Sequence, residues 1–246
     1  MKFLPLKVHP RLFAMLALSF VIATIVGTVS HELGHYIVYK CYGNSPKLHY
    51  DSVSYGDIKE KDQQFLDSTY KVNHAKIVAK ESSPEKESFL KQRYSIFKNL
   101  ESERLAMILG GPVQTLLTGS IGILWLWYNR KRILLKNELA VKEWFMVIVA
   151  FFWSRAIVNE LICIYDYLLN GRIPRGGDEA KISLHFRLPV NSINMVTAII
   201  GTFLLLWVTF YIVPNQQRFT FILSGIAGSA LGVMIWFLWI GPVVLP

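Results

Sequence analysis

The sequence predicts an all-α membrane protein that crosses the bilayer about five times. Apolar residues make up 52% of its 246 positions and charged residues only 17%, and the mean hydropathy is +0.35. Five apolar stretches are long enough for a membrane-spanning helix, which needs about 20 residues. Because unpaired backbone groups are too costly inside lipid, we expect these stretches to be helices and not open strands.

The five expected spans divide the chain into three parts. They lie at about residues 12–39, 104–128, 141–168, 194–213 and 219–241. The first part, 1–40, holds the first spanning helix. The second part, 41–103, is a soluble insertion, and the third, 104–246, contains the four remaining helices of the membrane domain.

The insertion is polar and balanced in charge. Residues 40–103 carry eleven Lys or Arg and ten Asp or Glu, without an apolar stretch of spanning length. Near its end, Ser83 followed by Pro84 and Glu85 is typical of a helix start, with serine as the cap and proline at the first position. We expect a helix to begin there and to continue into the second span.

Basic residues predict how the chain lies in the membrane. The loop 129–142 contains five Lys or Arg and one acid, and the amino terminus carries Lys2, Lys7 and Arg11. Short basic segments face the cytoplasm, so the end of the first span, the start of the second and the end of the third should share the opposite face. The net charge of +9 lies mostly in such loops, which favours contact with the lipid bilayer and argues against a nucleic acid partner.

A metal-binding motif lies near the end of the first predicted span. In the segment 31–35, His-Glu-Leu-Gly-His, the histidines His31 and His35 are four positions apart, so both imidazoles project from one helix face and can bind one ion. Glu32 follows the first histidine, where its carboxylate can take a proton from a water at an open coordination position. Ionisable groups cost about 2.5–3.5 kcal/mol each at the centre of a membrane helix, so three within five residues indicate a site. The alternative is that the helix ends near Ser30 and that these side chains lie in the wet interface.

A catalytic zinc needs a third protein ligand, for which Asp178 and Glu160 are candidates. Asp178 follows the third span on the same face as the motif, in a segment whose paired glycines at 176–177 would let the backbone approach closely. Its neighbour Glu179 is a further option. Glu160 is an acid inside the third span, which is a functional-site hypothesis by default, although an ion pair with Arg155 would also explain it.

Two other features suggest contact with a substrate. Gly110, Gly111 and Pro112 interrupt regular helical hydrogen bonding at the entry to the second span, and an extended peptide can pair with the backbone groups exposed there. A simple kink is the alternative. Asn159 lies four residues after Arg155 on the same helix face, which suits orientation of a ligand or of a substrate backbone. Small residues in the last span indicate close helix packing: Gly225, Gly228, Ser229 and Gly232.

Together these residues resemble the site-2 protease superfamily, the M50 intramembrane metallopeptidases, and in particular its small M50B-like bacterial members. A family helix bears His-Glu-x-Gly-His, matched by the segment 31–35, and a later helix carries Gly-Pro, matched by Gly111 and Pro112. In the family a later aspartate is the third zinc ligand. The segment 176–180 is similar to the Gly-Ser-Asp-Ala type of the M50B-like members, which favours Asp178 over Glu160 as that ligand. The Leu-Asp-Gly version of the better-known members is absent.

The resemblance implies a zinc-dependent intramembrane endopeptidase of the bacterial cytoplasmic membrane, acting on a membrane protein or peptide substrate. His31, His35 and Asp178 would hold Zn2+, and Glu32 would activate the zinc-bound water. A second hypothesis is a non-proteolytic membrane protein that binds or transports zinc at the same site. A third is a catalytically silent scaffold that acts through residues 40–103, although such a protein need not keep Glu32 and both histidines.

Overall fold

The structure, a computed structural model, describes residues 7–54, 59–79 and 81–246, and this part of the chain is largely helical. Its strands are β1 (Lys47–Leu48) and β2 (Val53–Ser54), which pair as a short antiparallel hairpin. Five helical segments of this part are long and apolar enough to cross a membrane. The predicted all-α polytopic fold is therefore confirmed. Lys2 of the basic amino terminus, and residues 55–58 and 80 of the insertion, lie outside the described residues.

The helices follow the order of the predicted spans. The first span is α1 (Pro10–Cys41), and after the hairpin come α2 (Glu60–Val78) and α3 (Pro84–Ile133), which contains the second span. The third consists of α4 (Val141–Ala150), a 3-10 turn at Phe151–Trp153 and α5 (Ser154–Asn170). The short α6 (Asp178–His185) precedes the fourth span, which is α7 (Ser192–Trp207) with a π-helical turn at Val208–Ile212. The fifth consists of α8 (Asn215–Val233), a π-helical segment at Met234–Ile240 and α9 (Gly241–Val244).

The helix predicted to start near Pro84 continues without a break into the second span. The backbone N–H of Lys86 donates to Ser83 Oγ at 3.2 Å, which caps the first turn of α3. With 50 residues and a rise of 1.5 Å per residue, α3 is about 75 Å long, more than twice the hydrocarbon thickness. Its first half therefore extends beyond a bilayer, and α2 packs along it. Insertion and membrane domain share one helix, so no structural break falls at 103/104.

The spanning helices expose apolar side chains along one side. On α1, Leu16 and Phe20 are buried in the core, whereas Leu18, Ile22 and Val26 are at least half exposed. A continuous apolar surface of this kind is unfavourable in water but matches the hydrocarbon interior of a bilayer. The exposed surface therefore agrees with a membrane-spanning arrangement of these helices.

Helix α1 lies between α3 and α8. Its contact with α8 depends on the small residues predicted to pack there, since a Cβ at Gly228 would collide with the backbone of Ala17 and one at Gly232 with Thr24. A cluster of large side chains fills the space towards α4, with the rings of Phe20 and Phe221 in contact. The contacts of Gly228 and Gly232 confirm that the small residues of the last span serve helix packing.

Candidate metal centre

Two histidines of α1 and the first residue of α6 meet beside α3. Asp178 Oδ2 lies 3.2 Å from His31 Nε2 and 3.0 Å from His35 Nε2. The ligand atoms of these three residues are all within 4.8 Å of one another. Both histidines are buried, and the side chain of Asp178 is 22% exposed. The motif lies well inside α1, so the alternative in which the helix ends near Ser30 is wrong.

Glycines bring α3 close enough to α1 to form this site. A Cβ at Gly34 would collide with the carbonyl oxygen of Gly110, and a Cβ at Gly110 would collide with the backbone of Gly34. One helical position further along α3, a Cβ at Gly111 would collide with Nε2 of both His31 and His35. The missing side chain of Gly111 therefore leaves open the space between the two imidazole nitrogens. Because these glycines pack against α1, the contacts give no support to substrate pairing at Gly110 and Gly111.

The outer nitrogen of each imidazole is hydrogen-bonded to α3. His35 Nδ1 is 2.7 Å from the carbonyl oxygen of Met107, and His31 Nδ1 is 2.9 Å from Thr115 Oγ1. A carbonyl oxygen only accepts, so His35 must carry a proton on Nδ1. The Gly111 N–H is also 3.3 Å from this nitrogen, but the shorter contact with the carbonyl decides the tautomer. These bonds fix the orientation of both rings, as hydrogen bonds to the non-ligating nitrogen do for metal-bound histidines.

The imidazole of His31 also carries its proton on Nδ1. Thr115 Oγ1 donates to Gln114 Oε1 at 3.4 Å, which leaves its lone pairs to accept from His31 Nδ1. Each neutral imidazole then presents the lone pair of Nε2 towards Asp178. Two lone pairs thus face an anion, and a cation is required between them, either a proton on an imidazole or a metal ion.

The donor set fits zinc. Two imidazole nitrogens and one carboxylate oxygen are the three protein ligands typical of a catalytic zinc, which keeps its fourth position open. The positive charge of Lys181 lies on the far side of Asp178, with Nζ 3.9 Å from Oδ1, the oxygen that does not face the histidines. A small divalent cation with nitrogen and oxygen ligands therefore matches this site. Its acceptor atoms face one another, and Gly111 leaves space between the two imidazole nitrogens.

Glu32 is buried beside the ligands but is not one of them. Its carboxylate falls outside the group formed by His31, His35 and Asp178. Instead Glu32 Oε1 lies 4.0 Å from the guanidinium of Arg155 on α5. A buried carboxylate next to a metal site, held by none of the ligands, is free to exchange protons with a bound water or substrate.

The other predicted site residues form a separate network. Asn159 donates to Glu179 Oε1 at 3.1 Å, so it contacts the neighbour of Asp178 and not a described ligand. The carboxylate of Glu160 accepts two hydrogen bonds from Asn191, at 2.8 and 2.9 Å. Glu160 is thus absent from the group of described residues that meets His31. The alternative, an ion pair of Glu160 with Arg155, is also not formed, because Arg155 faces Glu32. The two side chains leave α5 in different directions.

The segment around Asp178 differs from the expectation in two ways. The residue begins a helix, α6, which the alternative of an ordinary solvated acid in a loop did not include. The glycines at 176 and 177 have no described atom within 4 Å of the position that a Cβ would take, so the predicted close backbone approach is wrong there. The close approach occurs at Gly111 instead. The contacts of His35 with Met107 and Asp178 bring together the last part of α1, the start of the second span and the segment that follows the third span.

Sequence reasoning missed the positioning residues Met107 and Thr115. Met107 acts through its backbone carbonyl, and no residue type signals that role. Thr115 stands out only as one of several polar residues on an otherwise apolar helix. Comparisons of the chain with family models, with curated proteins and with solved structures find no match. Functional conclusions therefore depend on the geometry of the site itself.

Proposed function

We propose that this protein is a zinc-dependent intramembrane endopeptidase that hydrolyses peptide bonds of membrane proteins, and that it belongs to the site-2 protease superfamily. One observation carries the proposal. His31 and His35 lie on a helix that is long and apolar enough to span a membrane, and Nε2 of each faces the carboxylate of Asp178. Candidate ligands of the right number and type, an adjacent carboxylate that is not one of them and an apolar setting together support proteolysis in the membrane.

His31, His35 and Asp178 would hold the ion. When bound, zinc supplies Lewis-acid chemistry, polarising a carbonyl and lowering the pKa of water. The hydrogen bonds to Thr115 and Met107 keep both imidazoles in the tautomer that leaves Nε2 available. The chain thus contributes three ligands whose orientation is set before the ion arrives.

Glu32 serves as the general base and then as the general acid. It accepts a proton from the water whose oxygen bonds to the scissile carbonyl carbon, and it delivers that proton to the amide nitrogen as the C–N bond breaks. The nearby guanidinium of Arg155 adds a positive charge beside the reacting groups. Proton transfer within the site allows hydrolysis without a free acid or base from solvent.

The depth of the site supports a membrane substrate. His31 lies ten residues before the last residue of α1, or about 15 Å along the helix axis, and His35 about 9 Å. Helix α1 is about 48 Å long and exceeds the roughly 30 Å hydrocarbon thickness by about 18 Å, so with this excess shared between its two ends His31 lies about 6 Å inside the hydrocarbon and His35 at its boundary. A substrate helix must unwind locally to expose a carbonyl at this depth, because its backbone groups are otherwise paired internally.

The test compares Glu32→Gln with wild type, both as full-length protein in detergent micelles. We expect Glu32→Gln to bind as much zinc as wild type, measured by atomic spectroscopy, and to cleave membrane-protein substrates about 100-fold to 10,000-fold more slowly, because it lacks the proton-transfer group. Glu160→Gln is the matched control, since it alters another acid of the spanning helices whose partner is Asn191, and it should retain both properties. Cleavage by Glu32→Gln at the wild-type rate would refute the mechanism.

A second candidate function is zinc binding or transport without proteolysis. It is favoured by the fact that the three ligands converge without Glu32, so metal binding alone accounts for their arrangement. Zinc uptake into proteoliposomes distinguishes the two functions. Uptake that persists in Glu32→Gln, together with no cleavage of any peptide by wild type, would replace the protease assignment.

A further inference from the structure

A cavity of about 200 Å³ opens beside the candidate metal centre. His31 forms part of its wall, so the cavity shares a residue with the ligand set. Most of the remaining wall is apolar and comes from four helices: Leu109, Pro112, Val113 and Leu116 of α3, Ala156 of α5, Ile182 of α6, and Ile193 of α7. Pockets that combine mainly apolar walls with a few polar groups are typical of ligand-binding sites.

Polar side chains on the wall other than Arg155 already have partners. His31 is hydrogen-bonded to Thr115, and Glu179 accepts from Asn159 at 3.1 Å. Thr197 donates within its own helix, to the carbonyl oxygen of Ile193 at 2.9 Å, so its hydroxyl is satisfied locally. The surface left for an occupant is therefore mainly carbon, and burying a polar group there without a partner would be unfavourable.

Arg155 marks the end of the cavity nearest the reacting groups. It lines the cavity, and its Nη2 lies 4.0 Å from Glu32 Oε1. Its Nε is buried and has no hydrogen-bond partner within the described part of the chain. Arg155 thus places a positive charge beside both Glu32 and the apolar space of the cavity.

We propose that this cavity is a specificity pocket that receives one apolar side chain of the substrate, at a fixed position next to the cleaved bond. This inference depends on the proposed protease function and identifies which peptide bonds the site selects. The pocket is directly beside His31, and among the described residues of its wall Arg155 is the one with a buried, unpaired polar side-chain atom. An aliphatic or aromatic side chain packs against such a wall without leaving a polar group unpaired, whereas a charged side chain would lose its polar partners there.

Two small residues determine the size of the pocket. Ala156 of α5 and Thr197 of α7 line the cavity, and Ala156 is buried. Ala156→Leu adds three carbon atoms to the wall and should restrict the pocket to small side chains. Leu109→Ala removes three carbon atoms and should admit larger ones. One methylene in an apolar pocket changes selectivity about 10-fold to 200-fold, so both shifts are large enough to measure.

The experiment uses full-length, zinc-loaded protein in detergent micelles and a synthetic library of apolar peptides. Each library position carries Gly, Ala, Leu, Phe or Trp in turn, and mass spectrometry identifies the cleaved bonds. For wild type we expect a preference for Leu or Phe at one position beside the cleaved bond. Ala156→Leu should shift that preference towards Ala or Gly by about tenfold or more, and Leu109→Ala towards Trp. Ala198→Leu is the control, because Ala198 is also buried but lines a different groove, between α5 and α7.

Zinc content and the thermal unfolding midpoint show whether each variant is folded. If Ala156→Leu is folded and active but keeps the wild-type preference, the pocket assignment is overturned. If Ala156→Leu does not fold, Leu109→Ala decides, and an unchanged preference in that variant overturns the assignment as well. Absence of cleavage by zinc-loaded wild type is a different result, which removes the protease function and the pocket together.

Discussion

A methyl group at position 111 should weaken metal binding at the candidate centre. On the observed backbone, the Cβ of Gly111→Ala would stand closer to Nε2 of His31 and Nε2 of His35 than real Cβ atoms approach other atoms. Ordinary van der Waals separation is about 3.5 Å, so at least one imidazole must move by roughly 1 Å. The displaced ring loses its alignment with Asp178 and strains its hydrogen bond to α3.

Two free-energy effects of this substitution have opposite signs. Alanine in place of glycine within a helix stabilises the folded state by about 0.5–1 kcal/mol. Forcing extra atoms into a packed site costs about 1–3 kcal/mol, and at Gly111 this cost falls on the ligand side chains. The steric cost is larger. Since 1.4 kcal/mol corresponds to a factor of ten, zinc affinity should fall about tenfold to hundredfold.

Competition with a fluorescent zinc chelator measures the affinity, using full-length protein in detergent micelles. The matched control is Gly27→Ala, one turn before the motif on α1, where a Cβ would make only ordinary contacts with Phe152 at 3.7 and 3.9 Å. That control should keep its zinc affinity and gain about 0.5–1 kcal/mol of stability. Wild-type zinc affinity in Gly111→Ala would show that the imidazoles do not meet at this glycine, and the proposed centre would have to be abandoned.

Three further substitutions test separate parts of the structure. Asp178→Ala should lose zinc by at least about 100-fold, because it removes a ligand, whereas Glu160→Ala should retain zinc; equal loss in both variants, measured by metal analysis, would contradict the assignment. Thr115→Val removes the acceptor for His31 Nδ1 and should weaken zinc binding about 10-fold to 100-fold in the same chelator titration, and an unchanged affinity would remove its positioning role. Gly228→Leu forces a side chain into the backbone of α1 and should lower the free energy of unfolding by about 1–3 kcal/mol or more in chemical denaturation; a neutral result would contradict the observed packing of α8.

Local sequence determined the helical spans and two of the three candidate ligands. Length and hydropathy decide whether a segment crosses a membrane, because lipid leaves few alternatives for an unpaired backbone. The spacing of His31 and His35 places both imidazoles on one face of any regular helix, and the serine cap before Pro84 places the start of α3. These features depend on neighbours within a few residues, so they are readable before the chain is folded.

Only the tertiary structure decided which acid meets the histidines. Asp178 and Glu160 both return towards the same face, and hydropathy does not report how α5 is rotated about its axis. That rotation turns Glu160 to Asn191 and Arg155 to Glu32, while α6 brings Asp178 to an imidazole 147 positions earlier in the chain. The close approach of α3 to α1 at Gly111 was likewise decided by the tertiary structure. Steric fit between two helices depends on which of their side chains face one another.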